Sequence, residues 1–140
     1  MSCANETSIR YWDIQTPDPT PVVSILGAHS DNIKKIQFLP SNSNLFVSGS
    51  SDSFIKLWDL RNTSESVSSL KLQNQVEDFC FRKDQLVVAN GNAITLVDLE
   101  NQESKLAYVE KTSFYPFQKP ALRVRYDAHR DRIIAGGLDS

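Results

Sequence analysis

Residues Leu45 to Asn62, LFVSGSSDSFIKLWDLRN, decide the fold of this chain. Leu45, Phe46 and Val47 precede a polar turn, Ser50-Ser51-Asp52-Ser53, and Phe54, Ile55, Leu57 and Trp58 follow it, so two strand-favouring runs are pinched into a hairpin. In the second run Ile55 and Leu57 point to one face, and Phe54, Lys56 and Trp58 to the other. A hairpin that is apolar on both faces needs cover on both, and a stack of like sheets supplies it. Trp58 also brings an indole N–H that a buried site must pair with an acceptor; Ser48 and His29 are the nearest polar candidates in the chain.

Copies of this unit run along the sequence. A strand ending in Trp-Asp or its remnant occurs as Ile9-Arg10-Tyr11-Trp12-Asp13, as Ile55-Lys56-Leu57-Trp58-Asp59 and as Ile94-Thr95-Leu96-Val97-Asp98, at spacings of 46 and 39 residues. A second strand, apolar at its first, fourth and sixth positions, occurs as Ile33, Ile36, Phe38, as Val76, Phe79, Phe81 and as Ala121, Val124, Tyr126. The first strand of the hairpin returns as Leu86-Val87-Val88-Ala89 and from Ile133 to Ser140. A fourth strand is expected in each interval after the Asp: Val22 to Leu26, Val67 to Leu72 and Lys105 to Val109. No stretch holds a helical period, and Pro17, Pro19, Pro21, Pro40 and Pro120 fall between strands, where a missing N–H costs nothing. Four short strands at each of these spacings make a propeller blade, so the expected class is all-β.

Composition sets the bounds. A chain of 140 residues is one domain's worth and can bury roughly two-thirds of its unfolded surface. A formal charge of -2 argues against a dedicated nucleic-acid surface. Residues 105–140 lean basic, yet Lys105, Lys111, Lys119, Arg123, Arg125, Arg130 and Arg132 are scattered, which is the pattern of a solvated face, with an RNA-facing edge as the alternative. Cys3 and Cys80 have no paired spacing, so neither a disulfide framework nor a zinc site is expected, and a reducing compartment fits. No signal peptide or apolar run of membrane length occurs, so a soluble intracellular protein is expected and the sequons at Asn5 and Asn62 are chance matches.

Gly27-Ala28-His29 ahead of the innermost strand, Ser48-Gly49-Ser50-Ser51-Asp52 at the turn and Trp58-Asp59 at the end resemble a complete WD repeat, and the whole chain resembles a segment of a WD-repeat propeller. In that family the His, the Ser, the turn Asp and the Trp form a buried hydrogen-bonded tetrad, so the resemblance implies this structural role for His29, Ser48, Asp52 and Trp58. The chemistry agrees: Ser48 can accept from the indole and donate to His29, whose other nitrogen can donate to Asp52. The copy ending in Val97-Asp98 departs from the pattern, with no Trp, no His before it and Asn90-Gly91-Asn92 at its turn, so packing alone is expected to hold it. The expected divisions are the outer half of a blade over 1–29, a complete repeat over 30–74, a degenerate blade over 75–112, and a loop with the inner half of a blade over 113–140. Glu6 and Asp139 both align with Asp52, which makes three blade lengths cut in phase. Because propellers usually close with four or more blades, either the chain is part of a longer propeller or two chains join half-blades into a six-bladed dimer.

The phrase Asn74-Gln75-Val76-Glu77-Asp78, leading to Ala89-Asn90-Gly91-Asn92, further resembles the middle of the propeller in a WD-repeat subunit of the small-subunit processome. That resemblance implies a non-enzymatic nucleolar scaffold in pre-ribosomal RNA processing, with processome subunits as partners and any RNA contact indirect or weak. Alternatively, Trp58-Asp59-Leu60-Arg61 resembles the box found in substrate receptors of cullin-type ubiquitin ligases. Asp59 and Arg61 would then meet a ligase adaptor, in the cytoplasm or the nucleus; otherwise Arg61 is a solvated turn residue. No catalytic residue, cofactor or metal site is expected, since His29 and His129 have no ligand-spaced partners and no phosphate loop or serine elbow occurs. The connector after Asp98 is longer than its equivalents and holds Phe114, Tyr115 and Phe117 in a proline-bracketed loop, either as partner anchors or as cover for an open blade edge.

Overall fold

Alternating apolar side chains separated by short polar turns make strands of nearly every ordered segment. The structure, a computed structural model, describes residues 7–15, 20–83, 85–100, 105–107, 113–114 and 118–138. Among these residues the elements are thirteen strands in four antiparallel sheets, with no helix. The first sheet pairs β1 (Ile9–Trp12) with β2 (Pro21–Ile25). The second runs in chain order through β3 (Ile33–Leu39), β4 (Asn42–Ser50), β5 (Phe54–Asp59) and β6 (Ser68–Lys71). The third holds β7 (Val76–Arg82), β8 (Gln85–Asn90), β9 (Ala93–Glu100) and β10 (Lys105–Ala107), with β11 (Ser113–Phe114) also on β9. The fourth is the hairpin of β12 (Ala121–Asp127) and β13 (Arg132–Gly137).

The core lies between the sheets. Period-two alternation sends the two faces of a strand into different interfaces: Phe46 and Trp58 pack with Ile9 and Ile25 of the first sheet, whereas Val47, Ile55 and Leu57 pack with Val76, Phe79 and Leu86 of the third. Val87, Ala89 and Ile94 in turn meet Ala121 and Val124 of the fourth. Burying a side chain such as Phe46 contributes about 1.5–3 kcal/mol, so the interfaces, and not the isolated hairpins, carry the stability. Gly49 lets the second sheet lie close against the third: a Cβ there would lie 2.7 Å from Val76 Cγ1 and 3.2 Å from Phe79 Cδ1. The sharp turn after β4 is closed by Ser53 at φ 70°, and the shorter one after β8 by Gly91 at φ 59°, the left-handed region that glycine enters without steric cost.

The expected outer strand of the third sheet is present at Lys105–Ala107, and β9 carries a second outer partner besides it. Lys105, Leu106 and Ala107 do pair with β9, but at Glu100, Leu99 and Asp98, beyond the register that β6 uses on β5. That register belongs to β11: Phe114 faces Ile94 as Leu70 faces Ile55, and Ile94 and Ile55 are equivalent because they pair with Ala89 and Gly49. β9 is two residues longer than β5 and offers room for both partners, whose bonds occupy backbone groups that would otherwise stay open. Phe114 therefore stands in a strand and not in a loop. Tyr115 and Phe117 lie outside the described residues, as do Glu6 and Asp139.

Candidate functional site

The chain from Gly27 to Asn32 crosses from the first sheet to the second and brings His29 against the hairpin of β4 and β5. His29, Ser48 and Trp58 are buried together. Trp58 Nε1 donates to Ser48 Oγ at 2.9 Å, Ser48 Oγ lies 2.7 Å from His29 Nε2, and His29 Nδ1 lies 2.9 and 3.1 Å from the two Asp52 carboxylate oxygens. Since the indole can only donate, the Ser48 hydroxyl accepts from it and gives its own proton to Nε2, which leaves the imidazole neutral with its hydrogen on Nδ1, aimed at Asp52. Burial holds His29 below the ordinary imidazole value, against the upward pull of Asp52. Burial raises Asp52, but hydrogen bonds from the Phe54 and Ser30 amides, together with His29, outweigh it and keep the carboxyl below its usual range. The structure thus brings all four residues into one chain of bonds that ties the segment before β3 to the β4–β5 turn.

The third sheet has a different filling at the same places. Leu72 donates its amide to the Ser53 carbonyl at 2.8 Å, as His29 donates to Thr7 at 3.1 Å. Val88 stands opposite Phe79 and Thr95 as Ser48 stands opposite Ile36 and Lys56, and Val97 opposite Leu86 as Trp58 opposite Phe46. Leu72, Val88 and Val97 fall in one buried cluster, so apolar contact replaces the polar chain. Sequence reasoning passed over Leu72, although it stands as far before Val76 as His29 stands before Ile33.

A second buried polar group also escaped that reasoning. Asp78, on the innermost strand of the third sheet, accepts from Lys35 Nζ of the second sheet at 2.8 Å and from Arg125 Nη1 of the fourth at 2.6 Å. It also accepts from the amides of Phe79 at 2.9 Å and Val124 at 3.0 Å. Burial pushes its carboxyl up, but Lys35, the Val124 amide and Arg125 together hold it below the usual range. The signal was a carboxylate inside the apolar run Val76 to Phe81. At the opposite end of the same sheets, Arg82 donates to both oxygens of Asp131 at 2.9 and 3.1 Å, and the Tyr126 hydroxyl donates to Asp131 at 2.8 Å.

Arg61 is exposed but not unengaged: its Nη2 donates to Asp59 Oδ2 at 2.7 Å and its Nε to Oδ1 at 3.0 Å. His129 lies in the exposed turn between β12 and β13. Among the described residues no group of three His, Cys, Asp or Glu side chains is placed to hold a metal ion.

Comparison with known proteins follows the same lines. Residues 20–59 match the family model described as the WD domain, G-beta repeat. Over 98% of its length the chain is 26% identical to the restriction of telomere capping protein 1 of Kluyveromyces lactis, and over 44% of its length it is 33% identical to the ribosome biogenesis protein WDR12 homolog of Ixodes scapularis. It spans 12% and 14% of the lengths of these two relatives. A chain in the crystal structure of the mitotic checkpoint complex superposes on 96% of it with a TM-score of 0.80, at 15% identity and over 41% of that chain. The all-β stack of four antiparallel sheets therefore has the fold of a propeller segment, and residues 20–59 within it match one WD repeat.

Proposed function

We propose that this chain is part of a non-catalytic scaffold that holds protein partners together in ribosome biogenesis, in the nucleus and there in the nucleolus. The observation that carries the reading is the similarity of its repeat to the ribosome biogenesis relative, on a fold in which the buried side chains of His29, Ser48, Trp58 and Asp78 are each engaged in hydrogen bonds within the sheets. The resemblance to a processome subunit narrows the partners to pre-ribosomal RNA processing factors, which the scaffold would meet through its exposed turns and sheet faces. One observation favours a second reading, a scaffold in the assembly that restricts telomere capping: the relative of that name matches nearly the whole chain. Affinity purification of the full-length protein from its own cells, with nuclease treatment and mass spectrometry, separates the two. Recovery of processing factors supports the first reading. Recovery of telomere proteins without them transfers the assignment to the second, and a ubiquitin-ligase adaptor in place of both would overturn the two together.

A further inference from the structure

We propose that the cleft floored by Lys56, between the first and second sheets, binds an extended segment of a partner protein through one carboxylate side chain set between apolar residues; the inference deepens the scaffold reading and rests on it. The cleft begins with the period-two alternation of β5, which sends Phe54, Lys56 and Trp58 together toward the first sheet. Its facing wall is the link that leaves β2, from Ile25 to Ser30, and its rim is the segment from Ser64 to Ser66 ahead of β6. Two hollows of about 320 and 350 Å³ share Gly27, Lys56 and Ser66, so they form one trough, each part within the size range of binding pockets. Ile25, Leu26 and Trp58 line one end of it, and Ser30, Asp52 and Ser69 the other. Lys56 stands where the two ends meet.

That lysine decides the chemistry of the occupant. Its Nζ donates to the Ala28 carbonyl at 2.5 Å and lies 5.8 Å from the centre of the Trp58 ring, but among the described residues it meets no carboxylate. An ammonium has three donors, so this half-buried charge is left with capacity to spare. Ser69 stands opposite Lys56 and therefore on the same face, and neither its hydroxyl nor that of Ser66 is engaged by another described residue. Lys71, opposite Phe54, adds a second cation, 5.8 Å from the Phe54 ring centre. The third sheet treats the equivalent position differently: Thr95, which faces Val88 as Lys56 faces Ser48, is 3% exposed and donates to Asn90 Oδ1 at 2.8 Å. A carboxylate accepts from Nζ and from either serine, and apolar residues beside it fall toward Ile25, Leu26 and Trp58. Single charge suits the trough better than a phosphate dianion, because Glu65 lines its rim and Asp52, although taken up by His29 and the Ser30 and Phe54 amides, lines its far end.

The test is fluorescence anisotropy on the full-length protein with a labelled peptide that carries one glutamate between two leucines in a glycine–serine frame, beside its glutamine and phosphoserine counterparts. The variants are Lys56→Gln, Ser69→Glu, Glu65→Gln and, as a control that removes the same charge at the exposed β7–β8 turn, Lys83→Gln, each shown by its melting curve to be folded. The glutamate peptide should bind, and it should lose about tenfold in affinity with Lys56→Gln or with Ser69→Glu, whose exposed position keeps the test open if Lys56→Gln does not fold. Glu65→Gln should tighten it about twofold, Lys83→Gln should leave it unchanged, and the glutamine peptide should bind at least about tenfold less well. Equal binding of the glutamate and glutamine peptides, or a loss with Lys83→Gln as large as with Lys56→Gln, overturns the proposal. Tighter binding of the phosphoserine peptide, abolished by Lys56→Gln, overturns the choice of a carboxylate and assigns the trough to a phosphorylated segment. If the purification recovers a partner assembly while the peptides fail, the scaffold reading stands and this cleft is wrong; the opposite pair of results keeps the cleft and removes the assembly.

Discussion

Replacing Ser48 by Ala takes one oxygen from the centre of the buried chain and strands a group on each side. Trp58 Nε1 loses its acceptor at 2.9 Å and His29 Nε2 its partner at 2.7 Å, both in buried side chains. An unsatisfied buried polar group costs about 1–3 kcal/mol, so with partial relaxation the variant should lose about 2–4 kcal/mol. Against a total stability of about 5–15 kcal/mol for a domain, that is a large share. The third sheet suggests a repair, because Leu72, Val88 and Val97 fill the same places without any polar group. Adding His29→Leu and Trp58→Phe to Ser48→Ala removes both stranded groups and keeps a ring against Phe46, on which Trp58 stacks at 6.3 Å between centroids. The triple variant should therefore cost at least about 1 kcal/mol less than the sum of the three single changes, as expected for residues of one network. Urea unfolding at neutral pH, followed by circular dichroism and with the m-value checked for constancy, gives the four energies. A Ser48→Ala cost below about 0.5 kcal/mol, or a triple variant equal to the sum, would refute the argument, the first limit being what a surface change gives.

Other outcomes follow from the same geometry. His29 is held below its unfolded value of about 6.5, so the unfolded chain takes up the proton first and the contribution of this group, full above that value, is lost as pH falls through it; the carboxylates of Asp52 and Asp78, also held low, are full above about 3.9 and lose theirs in more acid solution. Urea midpoints should thus fall in two stages on acidification, and a His29→Leu variant that still shows the first stage would exclude His29 as its cause. Asp78→Asn should cost about 3–5 kcal/mol by leaving Lys35 and Arg125 facing a neutral group, whereas Arg125→Ala, in which Lys35 remains, should cost about 1 kcal/mol; equal costs in chemical denaturation would remove Asp78 as the hub.

The repeat was legible because its signals are local. The Trp-Asp strand ends, the Ser-Asp turn and the period-two alternation around Ile55 and Leu57 each lie within a few residues, and they give all-β sheets covered on both faces. What escaped depends on register between segments distant in sequence. Whether Lys105 to Ala107 or Phe114 takes the outer edge of β9 is set by the length of β9 and the path of the connector, and neither leaves a mark in alternation. The Asp78 site joins groups 43 and 47 residues away, so Lys35 and Arg125 read as solvated charges until the sheets are stacked. Leu72 was obscured for a related reason: an apolar residue at a position defined by a histidine is indistinguishable from any other core residue.

Asp78 bears on how the sheets fall apart. In a linear array of repeats the stability is close to a sum of single-unit terms and nearest-neighbour interfaces, and an end unit can fray without consequence two units away. Here one carboxylate is neutralised jointly from the second and the fourth sheets. Peeling off the hairpin of β12 and β13 removes half of that neutralisation and makes Lys35 the sole cation, which tightens its hold on the third sheet; loss of Lys35 does the same for Arg125. The array therefore carries a three-body term, and its two flanking sheets are thermodynamically linked through a group that belongs to neither.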